Sequence, residues 1–373
     1  MMRKSKLMKQ ITAAACIVTM LAGLAACGSK PAQEEAPAAS GEEQEGPKEQ
    51  EEAPAASGEV VMVGEEGAMS AEEFGMEAAA AKKYTIAVVV KNAALPVWEA
   101  HITAAQKAGE ALGVEVIDYS PTKADNVEEQ KRILEDLITT GVNAVILAPA
   151  NTEAVKGPVQ ELIDAGIPVI YDNTMGPSDV DYLTYVGIDN YEAGVMIAEA
   201  MAEKIGGKGN VLVMEGVPGQ STSDIRTEAV MDTLANYPDI TAERGVTNWM
   251  TDEGRKMTED YITKWGDDLK ACISVGGNQA EGSVEAIKAA GMEGQILVNG
   301  FDVQEPQVAA VENGDEVFTV SQGVYYQSYM SVVAAVRALN GESVPRQINC
   351  PITIVDQDNL EEMDERPEAF KAR

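Results

Sequence analysis

Polar side chains that can hydrogen-bond recur just after apolar, strand-like runs of this chain. Asn92 follows Thr85–Val90, Asp172 and Asn173 follow Pro168–Tyr171, and Asn278 follows Ala271–Val275. Asp302 comes after Ile296–Val298, Gln322 after Val317–Val320, and Arg226 closes a turn-bearing stretch after Val211–Met214. Amides supply donor and acceptor together, carboxylates accept, and a guanidinium presents a planar fork of donors. Such a set can hold a polar molecule but has nothing to activate. The one histidine, His101, lies inside an expected helix, on its surface or packed, with no nucleophile–base pair or metal-ligand cluster beside it. A dinucleotide enzyme would carry G-x-G-x-x-G after its first strand; Lys91-Asn92-Ala93-Ala94 stands there instead, and no P-loop sequence occurs. The chemistry expected is binding, with no cofactor.

These residues need elements to carry them. Apolar runs alternate with amphipathic stretches: helices are expected over Pro96–Leu112, Asn126–Thr140, Thr152–Ala165, Gly194–Ile205, Ile225–Asn236, Met257–Trp265 and Gly282–Ala290. Strands are expected between them, including Val114–Tyr119 and Ala144–Leu147. Continuous apolar strands separated by helices imply parallel sheets covered on both faces. Gly113, Gly141, Gly166 and Gly291 stand where helices need a left-handed C′ residue. Ligands of open α/β sheets collect at the carboxyl ends of strands, where these polar residues fall. Any one of them could sit on an ordinary loop; the repetition is the signal.

The first 27 residues are a separate matter. Arg3, Lys4, Lys6 and Lys9 precede an apolar run from Ile11 to about Ala26, then Cys27. The run is shorter than the roughly 20 residues of a membrane-spanning helix. It reads as a secretory signal with small residues at the cut site, and resembles a bacterial lipoprotein signal in which Cys27 becomes a lipid-modified N-terminus. The alternative is an ordinary signal with a chance cysteine. Next comes an acidic segment in which Glu-Glu-Ala-Pro-Ala-Ala-Ser-Gly-Glu occurs at Glu34–Glu42 and again at Glu51–Glu59. It has too little apolar surface to order itself. A disordered linker is expected over 28–83, a tether reaching roughly 40 Å from the membrane; an acidic interaction tail is its rival.

The chain has 373 residues and a formal net charge of −33. So strong a negative balance repels phosphate and excludes nucleic acid as a partner. Cys272 and Cys350 are the only cysteines of the body, too few for a disulfide scaffold; whether they pair is open. The length left after the linker suits two sheets better than one.

The body resembles the sugar-binding receptors of bacterial ABC importers, the ribose- and galactose-binding group. The likeness rests on Tyr84–Val90, Gly166–Asn173, Val186–Asn190, Glu215–Gly219 with Arg226, Asn299–Asp302, Ser321-Gln322 and Val355–Leu360, and covers about 84–360. It implies an α/β fold of two doubly wound parallel-sheet lobes joined by three hinge crossovers, the type I periplasmic binding protein. The crossovers fall near Ile188-Asp189, Gln322-Gly323 and about Ile352–Ile354. The N-terminal lobe is then 84–188 and 323–352, the C-terminal lobe 189–322 and 353–361, with a tail over 362–373.

The same resemblance implies a monosaccharide, pentose or hexose, in the cleft, an ABC permease as partner, and a monomer tied outside the cell membrane by its lipid. By position it assigns ligand contacts to Trp98, Asp172, Asn173, Arg226, Trp249, Asn278, Asp302 and Gln322. A sugar taken out of water needs nearly every hydroxyl paired, and each charged partner contributes about 1.5–3 kcal/mol. The two indoles would cover its C–H faces; Trp265 is assigned to packing. Local roles compete: Asp172 could end a strand or cap a helix, Arg226 could pair with Asp224 or Glu228 on an exposed helix, and Asn278 could serve as an N-cap. Lys91, Leu95 and Val97 depart from the family pattern and make the first-lobe side of the pocket more apolar. The calcium loop of the galactose group is absent, so no metal is expected. A sensor that presents its liganded form, or a receptor for a polyol or nucleoside, remains the alternative.

Overall fold

A computed structural model of the chain describes residues 63–93 and 95–362. The signal with Cys27, the acidic repeats and the tail from 363 lie outside the described residues. The chain begins one lobe with β1 (Glu65–Ser70), α1 (Ala71–Phe74), β2 (Thr85–Val89), α2 (Pro96–Leu112), β3 (Glu115–Asp118), α3 (Val127–Leu137), β4 (Ala144–Leu147), α4 (Lys156–Asp164), β5 (Val169–Asp172) and β6 (Thr184–Gly187). It then builds a second with α5 (Asn190–Lys204), β7 (Lys208–Glu215), α6 (Ser221–Leu234), β8 (Asp239–Val246), α7 (Thr251–Trp265), β9 (Leu269–Ser274), α8 (Gly277–Ala290), β10 (Leu297–Val298), α9 (Glu305–Asn313) and β11 (Thr319–Ser321). The chain returns to the first lobe for α10 (Val324–Leu339) and β12 (Pro345–Asn349), and ends in the second with β13 (Thr353–Val355).

The first sheet has the order β1-β12-β6-β5-β4-β2-β3, all its pairings parallel. The second has the order β10-β9-β7-β8, also parallel, and the antiparallel pair β11–β13 adjoins it through an Asn299–Phe318 bridge. In both sheets the earliest crossover strand, β2 or β7, lies between its successor and a later strand. The order of winding reverses there, and the carboxyl ends diverge into a crevice. Main-chain connections pass between the lobes after β6, β11 and β12.

Burial explains why these segments form. Val88, Val89 and Val90 are buried, as is all of β4, which reads as the continuous apolar run of a strand covered on both faces. Helix α2 starts with Pro96 in its first turn and stops at Gly113 with φ 79°, a left-handed position that disfavours a Cβ. Helix α10 is buried nearly all round and packs on α2. Cys272 and Cys350 are free, buried thiols, and burial pushes the Cys272 thiol up to about 12.

The linker expected over 28–83 stops short of Lys83. Strand β1 pairs in parallel with β12, and α1 follows with a reciprocal cap in which Ser70 Oγ accepts from Glu73 N at 3.1 Å. Phe74 is buried beneath the Arg337 guanidinium, 4.3 Å from its ring centroid, and Arg337 donates to the Phe74 and Glu77 carbonyls at 2.6 and 2.8 Å. Composition concealed this. β1 is held by backbone pairing while its side chains face solvent, so it lacks the apolar pattern that marks a strand.

Candidate functional site

The carboxyl ends of the two sheets enclose a cavity of about 120 Å³ lined from both lobes. Seven of the eight expected contacts line it: Trp98, Asn173, Arg226, Trp249, Asn278, Asp302 and Gln322. Gln322 is the central node. Its Oε1 accepts from Asn173 Nδ2 of the first lobe and Arg226 Nη2 of the second, both at 3.0 Å, while its Nε2 donates to Asp302 Oδ1 at 2.5 Å. A residue at a lobe crossing thus orients polar groups from both halves.

Arg226 is buried and does not pair with Asp224 or Glu228. Its Nε donates to Asn190 Oδ1 at 2.7 Å, its Nη1 to the Val275 carbonyl at 3.2 Å, and its plane lies 4.0 Å from the Phe301 ring centroid. Burial lowers its pKa to about 10, against the pull of Asp302. Asp302 has φ 71° and its carboxyl is pushed above the usual range by burial, opposed by the Gln322 hydrogen bond and Arg226. Asn278 is not the cap of α8, which is Gly276; it stands in the first turn and donates to the Trp249 carbonyl at 3.3 Å.

Asp172 is the correction. It does not line the cavity and is wholly buried: Oδ2 meets His101 Nδ1 at 2.9 Å and Ser328 Oγ at 2.7 Å, and Oδ1 accepts from Ser331 Oγ at 3.0 Å. It ties β5 to α2 and α10. Only the packing of α10 reveals this, because Ser328 and Ser331 lie more than 150 residues further along the chain. His101 is fully buried, and its ring stands 5.0 Å from Trp98, so the Asp172–His101 pair backs the indole.

The two tryptophans are held differently. Trp98 is buried at the start of α2 with Lys91 Nζ 5.3 Å from its ring centroid. Trp249 has φ 59°, and its indole fits against two glycines: a Cβ on Gly216 would meet the ring at 2.1 Å and one on Gly276 at 2.7 Å. Trp265 makes an edge contact with Tyr261, away from the cavity.

Sequence reading missed Gln220 and Asp125. Gln220, wholly buried, accepts from Lys91 Nζ at 2.6 Å and Trp249 Nε1 at 2.8 Å, and donates to Asp125 Oδ1 at 2.7 Å and the Ala150 carbonyl at 3.0 Å. Ser221 continues the clasp, donating through Oγ to the Met175 carbonyl at 3.0 Å. Its position in the turn after β7, at the winding reversal, was the available signal. Lys91, known from sequence as a departure, has a pKa of about 7: burial lowers it, Asp125 opposes, and Arg226 lowers it further. Leu95 and Val97 also line the cavity, making the side beneath Trp98 apolar.

Residues 86–343 match the family described as the periplasmic binding protein domain. The chain is 25% identical over 271 residues to the D-xylose-binding periplasmic protein of Escherichia coli, covering 71% of this chain and 81% of that protein. It is 26% identical over 283 residues to the xylitol-binding protein of Mycolicibacterium smegmatis, covering 69% and 80%. The solved structure of an ABC transporter periplasmic solute-binding protein from Actinobacillus succinogenes with bound D-allose superposes with a TM-score of 0.71 at 25% identity, covering 75% of this chain and all of that one. These relatives are binding proteins, and none of the three names describes an enzyme. With the two lobes, the crossings between them and the shared cavity in place, the chain belongs to the periplasmic binding protein family.

Proposed function

We propose that this protein is an extracytoplasmic receptor that captures a monosaccharide between its lobes and hands it to an ABC permease. The observation that carries the reading is the cavity itself: two indoles and a set of amides, carboxylates and one guanidinium converge on it from both lobes. Each polar type suits a ring of hydroxyls, each of which donates and accepts. A ligand touching both lobes favours the closed arrangement by its differential affinity. In that arrangement the Gln220 clasp bridges Lys91 and Asp125 of one lobe to Trp249 of the other. Asn173, Arg226, Asp302 and Gln322 take the hydroxyls, while Trp98 and Trp249 wall the C–H faces. Asp172 supports Trp98 through His101.

The xylitol-binding relative and the sugar-bound structure favour different members of one chemical class, so a polyol is the second reading. A melting screen against pentoses, hexoses, polyols and nucleosides decides between them. Saturation at a hundred times Kd adds about 2.7 kcal/mol of stability. A shift with monosaccharides is expected; a shift with nucleosides alone overturns the reading.

Cys27 is the proposed lipid attachment point, and the acidic repeats the tether above the membrane. Fatty-acid labelling of the wild type, lost in Cys27→Ser together with membrane retention, is the expected result. Unchanged membrane retention in that variant overturns the anchor.

A further inference from the structure

The charged groups lining the cavity do not balance. Lys91 and Arg226 face Asp125, Asp302 and Glu281. Asp302 is answered by Gln322 and Arg226, and Asp125 by Gln220 with Lys91 as its cation. Glu281 accepts one hydrogen bond, from Gln307 Nε2 at 2.8 Å on Oε1, and forms no ion pair among the described residues. It stands on α8 three residues after Asn278, so both side chains face the cavity from one side of the helix. Deeper in the lobe, Glu316 is 1% exposed, and neither carboxyl oxygen has a partner. Burial raises both carboxyls first; Glu285 adds to the effect on Glu281, and Glu281 and Asp315 add to that on Glu316. The cavity wall thus holds a carboxylate with no cation paired to it among the described residues, with a second acid near it.

Resting on the reading of the cavity as a sugar receptor, we propose that its ligand carries a primary ammonium on the hydroxylated ring, as an amino sugar does, and that Glu281 receives it. A neutral hydroxyl can satisfy the free Oε2 but leaves the charge uncompensated. An ammonium donates the same hydrogen bond with charge assistance and offsets the repulsion from Glu285. An acid sugar would bring a further negative charge against Glu281 and Glu285 and is disfavoured. Arg226, Asp302 and Gln322, which already satisfy one another, serve the uncharged hydroxyls.

Calorimetric titration of the purified protein with matched pairs tests this: D-glucosamine against D-glucose, D-galactosamine against D-galactose, D-mannosamine against D-mannose, with N-acetyl-D-glucosamine as an uncharged control. At a pH where the amine is protonated, at least one amine should bind about tenfold or more tighter than its hydroxyl partner, the size of one charge-assisted hydrogen bond. Glu281→Gln should bring that ratio close to one. The wild-type comparison needs no variant, so a misfolded mutant cannot obscure it. Equal or weaker binding of every amine, with neutral sugars still bound, overturns this inference and leaves the receptor reading intact. No response to either member of any pair also overturns this inference, and the receptor reading is then decided by the melting screen against pentoses and polyols.

Discussion

Asp172 and Asp302 occupy comparable places, each beyond an apolar strand run, one in each lobe. Their surroundings diverge. Asp172 is enclosed by His101, Ser328 and Ser331 and turned from the cavity, whereas Asp302 meets Gln322 and the field of Arg226 at its wall. The difference lies in what packs above each strand end. Above Asp172 runs α10, a returning helix that brings two hydroxyls to a buried carboxylate. The Asp302 carboxylate instead accepts from the crossing residue Gln322. A carboxylate at a strand end therefore serves as support or as contact according to which donors the tertiary fold delivers.

The largest separation of these roles should come from Arg226→Ala, which strips the contact cluster of its cation. Loss of charge-assisted hydrogen bonds worth about 3 kcal/mol weakens sugar binding roughly a hundredfold, read as a vanished ligand-induced melting shift. A retained shift would mean the cavity is not the binding site. Next, Asp172→Ala leaves three buried partners without their acceptor and should remove about 3 kcal/mol of ligand-free stability by urea unfolding. Asp302→Ala should instead spare the ligand-free protein and lose the ligand response. If the two substitutions exchange outcomes, the contrast drawn from their neighbours is wrong.

A smaller effect is expected at the clasp. Gln220→Ala breaks the bridges to Lys91, Asp125 and Trp249 and should weaken ligand binding about tenfold, since the bonds to Lys91 and Asp125 form across the lobes. Scattering of the ligand-free variant should show it at least as open as the wild type; an unchanged Kd would rule the clasp out of closure.

The smallest predicted effects concern pH. The folded pKa of Lys91, about 7, lies below its ordinary 10.5, so the unfolded chain binds more protons between those values and stability rises with pH across them. Glu316 acts oppositely. Its folded value of about 9 exceeds the ordinary 4.5, so its contribution is full below 4.5 and is lost as pH climbs to 9. Lys91→Met should flatten the rise, and Glu316→Gln the fall, in melting temperature against pH. Unaltered profiles would show that neither group titrates as its burial implies.

Much of the fold is legible in the sequence. The alternation of apolar runs and amphipathic stretches marked most of the helices and strands, because burial on both faces writes a strand's character into consecutive residues. β8, with alternating partly exposed positions and Arg244 and Glu243 in its middle, was not expected; it is an edge strand and needs no continuous apolar run. β1 escaped for a related reason, its stability coming from main-chain pairing that composition does not record. The strand-end rule brought Asn173, Asn278, Asp302 and Gln322 to the cavity, while Gln220 was passed over because an amide in a polar turn looks like any loop residue until the opposite lobe meets it.

The amino-acid sequence alone determined the α/β class and the strand-end placement of the polar groups, since each is set by local pattern. Tertiary structure alone decided which of those groups share a cavity, that Asp172 supports Trp98 from behind, and that Glu281 is left without a cation. Those outcomes depend on contacts between residues tens to hundreds of positions apart, and no local pattern encodes the neighbours that a fold brings to a side chain.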